Sequence, residues 1–90
     1  LQEHTFWQPI QGEARFVYIL TLSGAHALTL GRRMLEPLQG GDVPDTVDTL
    51  VREVIKEFVN IVTLQVCGRL GRDGRACEPG LPEAGEPPPP

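Results

Sequence analysis

The spacing of hydrophobic and polar positions changes along the chain, from a period near two to a period near 3.6. Residues 5–11, TFWQPIQ, alternate as a strand does. Pro9 has no N–H to give to a ladder, so an edge or bulged strand is expected. Gly12-Glu13 follows, a pair that suits a tight type II′ hairpin turn. Residues 14–22, ARFVYILTL, are apolar on both faces: Phe16, Tyr18, Leu20 and Leu22 on one, Val17 and Ile19 on the other. A strand covered on both sides belongs at the centre of its sheet. Trp7 reads as hairpin core or interface.

The period then lengthens. Ser23 is an expected N-cap for a helix running to about Leu38, with Ala27, Gly31, Met34, Leu35 and Leu38 on one face. QGGD at 39–42 ends it. A second helix is predicted to open near DVPD, with Pro44 in its first turn and Asp42 or Asp45 as cap. Asp45 and Asp48 suit the positive end of its dipole. Val47, Leu50, Val51, Val54, Ile55, Phe58, Ile61 and Val62 carry the apolar pattern onward, and the helix is expected to close near Cys67 or Gly68. A short strand near RACE (75–78) is the last element the pattern allows. Strands followed by helices predict an α+β fold: a small antiparallel sheet with two long helices packed on one face.

Composition narrows where the core can lie. The chain has 90 residues, with ten glycines and nine prolines. Much of this glycine and proline falls in 68–90, GRLGRDGRACEPGLPEAGEPPPP, where little can be buried. Residues 1–77 are therefore read as the domain and 78–90 as a loop or disordered tail. A core drawn from about residues 5–67 is small for a lone monomer. Pairing with a second copy is expected, or else a natural domain longer than this chain. The open edge of the sheet argues for a homodimer.

Charge and chemistry exclude several classes. The net charge of −4 and a sequence pI near 5.0 argue against nucleic acid. No apolar run reaches the ~18 residues that a membrane span needs. Cys67 and Cys77 are too few for a disulfide framework and read as reduced thiols in a cytoplasm, with a mutual bridge as the alternative. His4 and His26 have no second ligand at metal spacing. GRLGRDGRA lacks the lysine of a phosphate loop and reads as a flexible turn, its arginines as solubilising. No Ser/His/Asp or Cys/His set is visible.

One strip on the second helix stands out. With Glu53 set at zero, Glu57 lies at about 40° and Asn60 at about −20°, roughly 120° from the centre of the apolar face. All three are expected to face outward from a helix held rigid by the sheet. Two carboxylates one turn apart repel mildly, so their pairing does not serve the helix. They can engage a lysine or arginine of a partner. A carboxamide can hold and orient a water molecule, as phosphoryl hydrolysis requires. The plain alternative is a solvated helix face.

The run from Ala14 to Leu70 resembles the CheC/CheX family of chemotaxis phosphatases, which dephosphorylate response-regulator receiver domains. The carrying motif is Glu53-x3-Glu57-x2-Asn60. GEARFVYILTLS looks like the family's strand after a glycine turn, AHALTLGRRMLE like its first helix, and DVPDTVDTLVREVIKEFVNIV like the acidic lead-in to the motif helix. A single motif copy resembles the CheX branch. The resemblance implies that Asn60 orients the attacking water, that Glu57 grips a lysine of the receiver, and that Glu53 is an accessory contact. It implies no cofactor on this chain, since the Mg2+ ion belongs to the receiver. Leu64 stands where the family often has glycine, and is expected either to add an apolar contact to the partner or to obstruct docking. The family domain is longer, so the chain is expected to hold it in part. A receiver-binding module without catalysis is the alternative function.

Overall fold

The computed structural model describes residues 3–39 and 46–89. Its elements are β1 (Glu3–Gly12), β2 (Phe16–Ser23), α1 (Gly24–Gln39), α2 (Thr49–Arg72), β3 (Cys77–Pro79) and β4 (Glu83–Ala84). The strands form one antiparallel sheet with both helices against one face, an α+β architecture.

The strand order differs from the sequence expectation. β1 is central, with β2 on one side and both β3 and β4 on the other. β2, expected at the centre, is an edge strand. Proline is tolerated in β1 because of where its missing donor falls. A residue's N–H and C=O point to the same side of a strand. The Pro9 carbonyl accepts from Gly80 N at 2.7 Å, so the absent N–H faces the break between β3 and β4. No ladder bond is lost there.

The hairpin turn is also wider than expected. The last β1–β2 pair is Ile10 with Phe16. Gly12 has φ +132°, outside the type II′ range, and a Cβ on it would lie 2.6 Å from the Ala76 carbonyl oxygen and 2.8 Å from Cys77 Cα. Glycine is needed here because β3 passes so close, and Glu13 N donates to that same Ala76 oxygen at 2.9 Å.

Inward residues of β1 alternate strictly: Phe6, Gln8 and Ile10 are buried. Phe6 joins Ala27, Leu35, Val51, Ile55 and Val59 in the core, with Tyr18, Leu20 and Leu22 of β2 packed at its side. The outer face holds Trp7 opposite Ile19 and Pro9 opposite Val17, and among the described residues no helix covers it. Ile19 is 50% and Val17 40% exposed, so the second apolar face of β2 does not signify burial.

α1 is capped as predicted: the Ser23 hydroxyl accepts from His26 N at 3.2 Å. Ala27, Gly31 and Leu35 are buried, and Met34 is half-buried. The helices pack tightly at Gly31, since a Cβ there would meet Val51 Cγ1 at 2.6 Å. The side chain of Leu38, the stop at 40–42, and Asp42, Pro44 and Asp45 lie outside the described residues. The cap of α2 is Asp48, which accepts from Val51 N at 3.0 Å. α2 continues past Gly68 to Arg72, so half of the expected flexible turn is helix. Arg69 and Arg72 sit in its last turn, where the dipole favours cations. β3 and β4 fall largely in the segment read as tail. β3 falls at the end of the short strand expected near RACE (75–78), shifted toward Pro79, whereas the two-residue β4 was not anticipated; pairing with β1 makes both of them strands.

Candidate functional site

The site follows from how α2 meets the sheet. Its buried residues are Val51, Ile55, Val59, Thr63 and Cys67, a spacing of four. At about 100° per residue each step advances the stripe by about 40°. Between Val51 and Cys67 the buried stripe thus turns by about 160° around the helix. The apolar face expected from one fixed wheel does not persist: Leu50 and Ile61 are exposed, at 39% and 45%.

This drift divides the predicted strip. Glu53 and Glu57 lie opposite the early stripe and are exposed. By Thr63 the stripe has come within about 60° of Asn60. Asn60 is therefore half-buried at the rim of the helix–sheet contact, where an outward position was expected. Leu64 follows on the open side at 51% exposure, as expected.

Asn60 is held by a buried polar group that sequence reasoning missed. Gln8 of β1 is fully buried and donates from Nε2 to Asn60 Oδ1 at 2.8 Å and to the Gly80 carbonyl at 2.7 Å. Its Oε1 accepts from Thr63 Oγ1 at 2.6 Å. Every polar atom of the buried amide is thus partnered, as burial demands. The signal was present: a glutamine between Phe6 and Ile10 at strand spacing occupies an inward position.

The acidic part of the strip is less uniform than its sequence. Glu53 Oε1 pairs with Lys56 Nζ at 3.0 Å. Such an exposed pair contributes little to stability and opens easily. Glu57 makes no ion pair among the described residues. A shallow hollow of about 310 Å³ runs beside the two glutamates, bounded by Lys56, Leu81, Pro82 and Glu83. Three carboxylates face one ammonium there, so the hollow favours a cationic side chain. Leu81, on the loop between β3 and β4, is 77% exposed and was not anticipated.

A second hollow, of about 590 Å³, lies at the far end of α2 among Cys67, Cys77, Gly12, Gly71 and Gly80. Both cysteines are free thiols. Burial, with the neighbouring Cys77 thiol, pushes the Cys67 thiol up to about 11. A thiol held neutral is a poor nucleophile.

Comparison with protein-family models, with curated proteins and with solved structures gives no match to this chain. Among the described residues no helix is long and apolar enough to cross a membrane.

Proposed function

We propose that the chain is a CheX-like phosphatase that accelerates hydrolysis of the aspartyl phosphate on a response-regulator receiver domain, in chemotaxis or two-component signalling. One observation carries the reading. A carboxamide is fixed at the rim of a rigid helix by Gln8, three residues beyond an exposed carboxylate, Glu57, that has no cation of its own among the described residues. Positioned groups of these two types match what such a hydrolysis asks of a protein, which is orientation and charge.

In this mechanism α2 docks against the receiver's phosphorylation site. Glu57 takes the receiver's lysine in the acidic hollow. Glu53 releases Lys56 and adds an accessory contact, and Leu64 and Leu81 supply apolar contact beside them. Asn60 holds a water in line with the acyl phosphate. The water oxygen bonds to phosphorus as the bond to the aspartyl oxygen breaks, leaving a carboxylate, inorganic phosphate and a proton. The Mg2+ that neutralises the phosphoryl oxygens is the receiver's own.

The chain is assigned to the cytoplasm, consistent with its free thiols. It is assigned to a homodimer through the sheet, since among the described residues β2 has an open edge and Trp7, Val17 and Ile19 form an apolar outer face that no element covers. Light scattering at micromolar concentration should give twice the chain mass, and a monomer would remove that part.

The test of the enzyme reading is phosphate release from receiver domains charged with acetyl phosphate. Addition of the protein should speed release, and Asn60→Ala should abolish the acceleration while leaving binding intact. No acceleration by the unaltered protein, or full acceleration by Asn60→Ala, contradicts the reading. A non-catalytic receiver-binding module is the second reading. It is favoured by the half-burial of Asn60 and the occupancy of its oxygen. Capture of a receiver without faster phosphate loss would select it.

A further inference from the structure

We propose that Gln8 is a positioning residue that fixes which end of the Asn60 carboxamide faces outward, so that α2 presents N–H donors and not a carbonyl oxygen. The inference rests on the site described above and specifies its polarity. The two ends of a carboxamide are almost the same shape, so packing alone does not choose between them. Hydrogen bonds do, and the choice begins at an atom with no alternative. The Gly80 carbonyl oxygen accepts only. It lies 2.7 Å from Gln8 Nε2, and reversing the Gln8 amide would set two acceptors against each other at that distance. Gly80 cannot withdraw, because its own N–H is bonded to the Pro9 carbonyl at 2.7 Å. The orientation of Gln8 is thereby set, with Thr63 Oγ1 donating to Oε1 on the other side at 2.6 Å.

The same logic passes to Asn60. The second Nε2 hydrogen of Gln8 needs an acceptor in a buried place, and Asn60 Oδ1 supplies it at 2.8 Å. With Oδ1 occupied, Nδ2 is the free end. It has no hydrogen-bond partner among the described residues and is not shut away from water. α2 therefore offers two N–H donors at the Asn60 position, beside the carboxylate of Glu57.

This polarity selects what the site can hold. A donor recognises an acceptor: a phosphoryl oxygen, or a lone pair of water. Water that accepts one hydrogen bond from Nδ2 keeps its second lone pair for phosphorus. A site presenting Oδ1 would instead bind water through its hydrogens and would repel phosphoryl oxygens. Chain order matters as well. The Gly80 link places the β3–β4 loop, with Leu81 beside the acidic hollow, in control of the orientation of Asn60. A partner touching Leu81 thus touches the same relay.

The test has one arm that does not depend on catalysis. Side-chain amide exchange, measured by NMR on the free protein, should show Gln8 Nε2 hydrogens slowed on the order of 100-fold or more relative to a free amide, and Asn60 Nδ2 hydrogens within about tenfold of one. Protected Asn60 hydrogens with freely exchanging Gln8 hydrogens would overturn the proposal. The second arm uses receiver domains charged with acetyl phosphate. Asn60→Asp keeps an acceptor for Gln8 but offers no donor and sets a carboxylate against the phosphoryl oxygens, so it should lose at least tenfold in kcat and raise KM. Gln8→Met, checked for folding by circular dichroism, should lower kcat in the same way and make the Asn60 amide signals degenerate or broadened. Unchanged kcat in Asn60→Asp would overturn the donor assignment. If the unaltered protein speeds no receiver, the phosphatase reading fails by itself, and the exchange pattern alone decides the Gln8 relay.

Discussion

The two halves of α2 are buried by different chemistry. From Val51 to Val59 the helix meets α1 and the sheet through Val51, Ile55 and Val59, with Phe6, Ala27 and Leu35 opposite. Contact of this kind is strong and non-directional. From Asn60 to Cys67 the helix meets β1 and β3 through Thr63, a thiol and the carboxamide of Asn60, with buried Gln8 between them. Each hydrogen bond here adds little net stability, but it weakens steeply with misalignment. The apolar half keeps the helix on the sheet. The polar half fixes where along β1 it stands and how Asn60 is turned. A core residue with no chemistry and a site residue with little packing are thus separated by only a turn or two of one helix.

The contrast can be broken by mutation. Ile55→Ala should cost the most, about 2–5 kcal/mol, since it empties a fully buried position. Denaturant titration measures this. Per folded molecule, phosphate release from the receiver should be unchanged. Thr63→Val should cost less, about 1–3 kcal/mol, by leaving Gln8 Oε1 buried without a donor. Its effect on release should nevertheless exceed that of Ile55→Ala, because the relay to Asn60 is loosened. The same order for stability and for activity would show that the two halves do not differ as described.

Gly31→Ala should cost less again. Crowding against Val51 costs about 1–3 kcal/mol, and the better helix propensity of alanine returns about 1 kcal/mol. A net gain in stability would mean that α1 and α2 move apart freely at the Gly31–Val51 contact. The last effect concerns pH and is confined to alkaline solution. The Cys67 thiol titrates near 11 in the folded chain, above its ordinary 9.0. The unfolded chain therefore loses that proton first. The stability tied to the neutral thiol is complete below pH 9 and is lost as pH rises from about 9 to 11. Cys67→Ala should flatten the loss over that window in urea titrations, and an unchanged slope would remove the assignment.

Much of the fold was legible because it depends on local pattern. The β1–β2 hairpin, the Ser23 cap and both helices follow from period and capping, and so does the α+β class. Strand order was not legible. A sequence shows that Val17 and Ile19 are apolar, but not that both are exposed. Nor does it show that Pro9 faces a gap between two short strands. The strip of Glu53, Glu57 and Asn60 was visible as spacing. Its division was hidden because a buried stripe that repeats every four residues turns around the helix, while a wheel assumes that it stays. Gln8 and Leu81 were missed for different reasons. Gln8 stood in plain alternation as a polar residue at an inward position. Leu81 sits in a proline-rich stretch with no pattern, and only pairing of β3 and β4 with β1 brings it beside the glutamates.

The most direct measurement is an NMR titration of the labelled chain with a receiver domain held in its phosphorylated form by beryllofluoride and Mg2+. If the rim of α2 is the working surface, backbone shifts should concentrate at Glu53, Glu57, Asn60, Leu64 and Leu81, and leave Trp7, Val17 and Ile19 on the outer sheet face unmoved. Shifts confined to that outer face, or none at receiver concentrations of hundreds of micromolar, would contradict it.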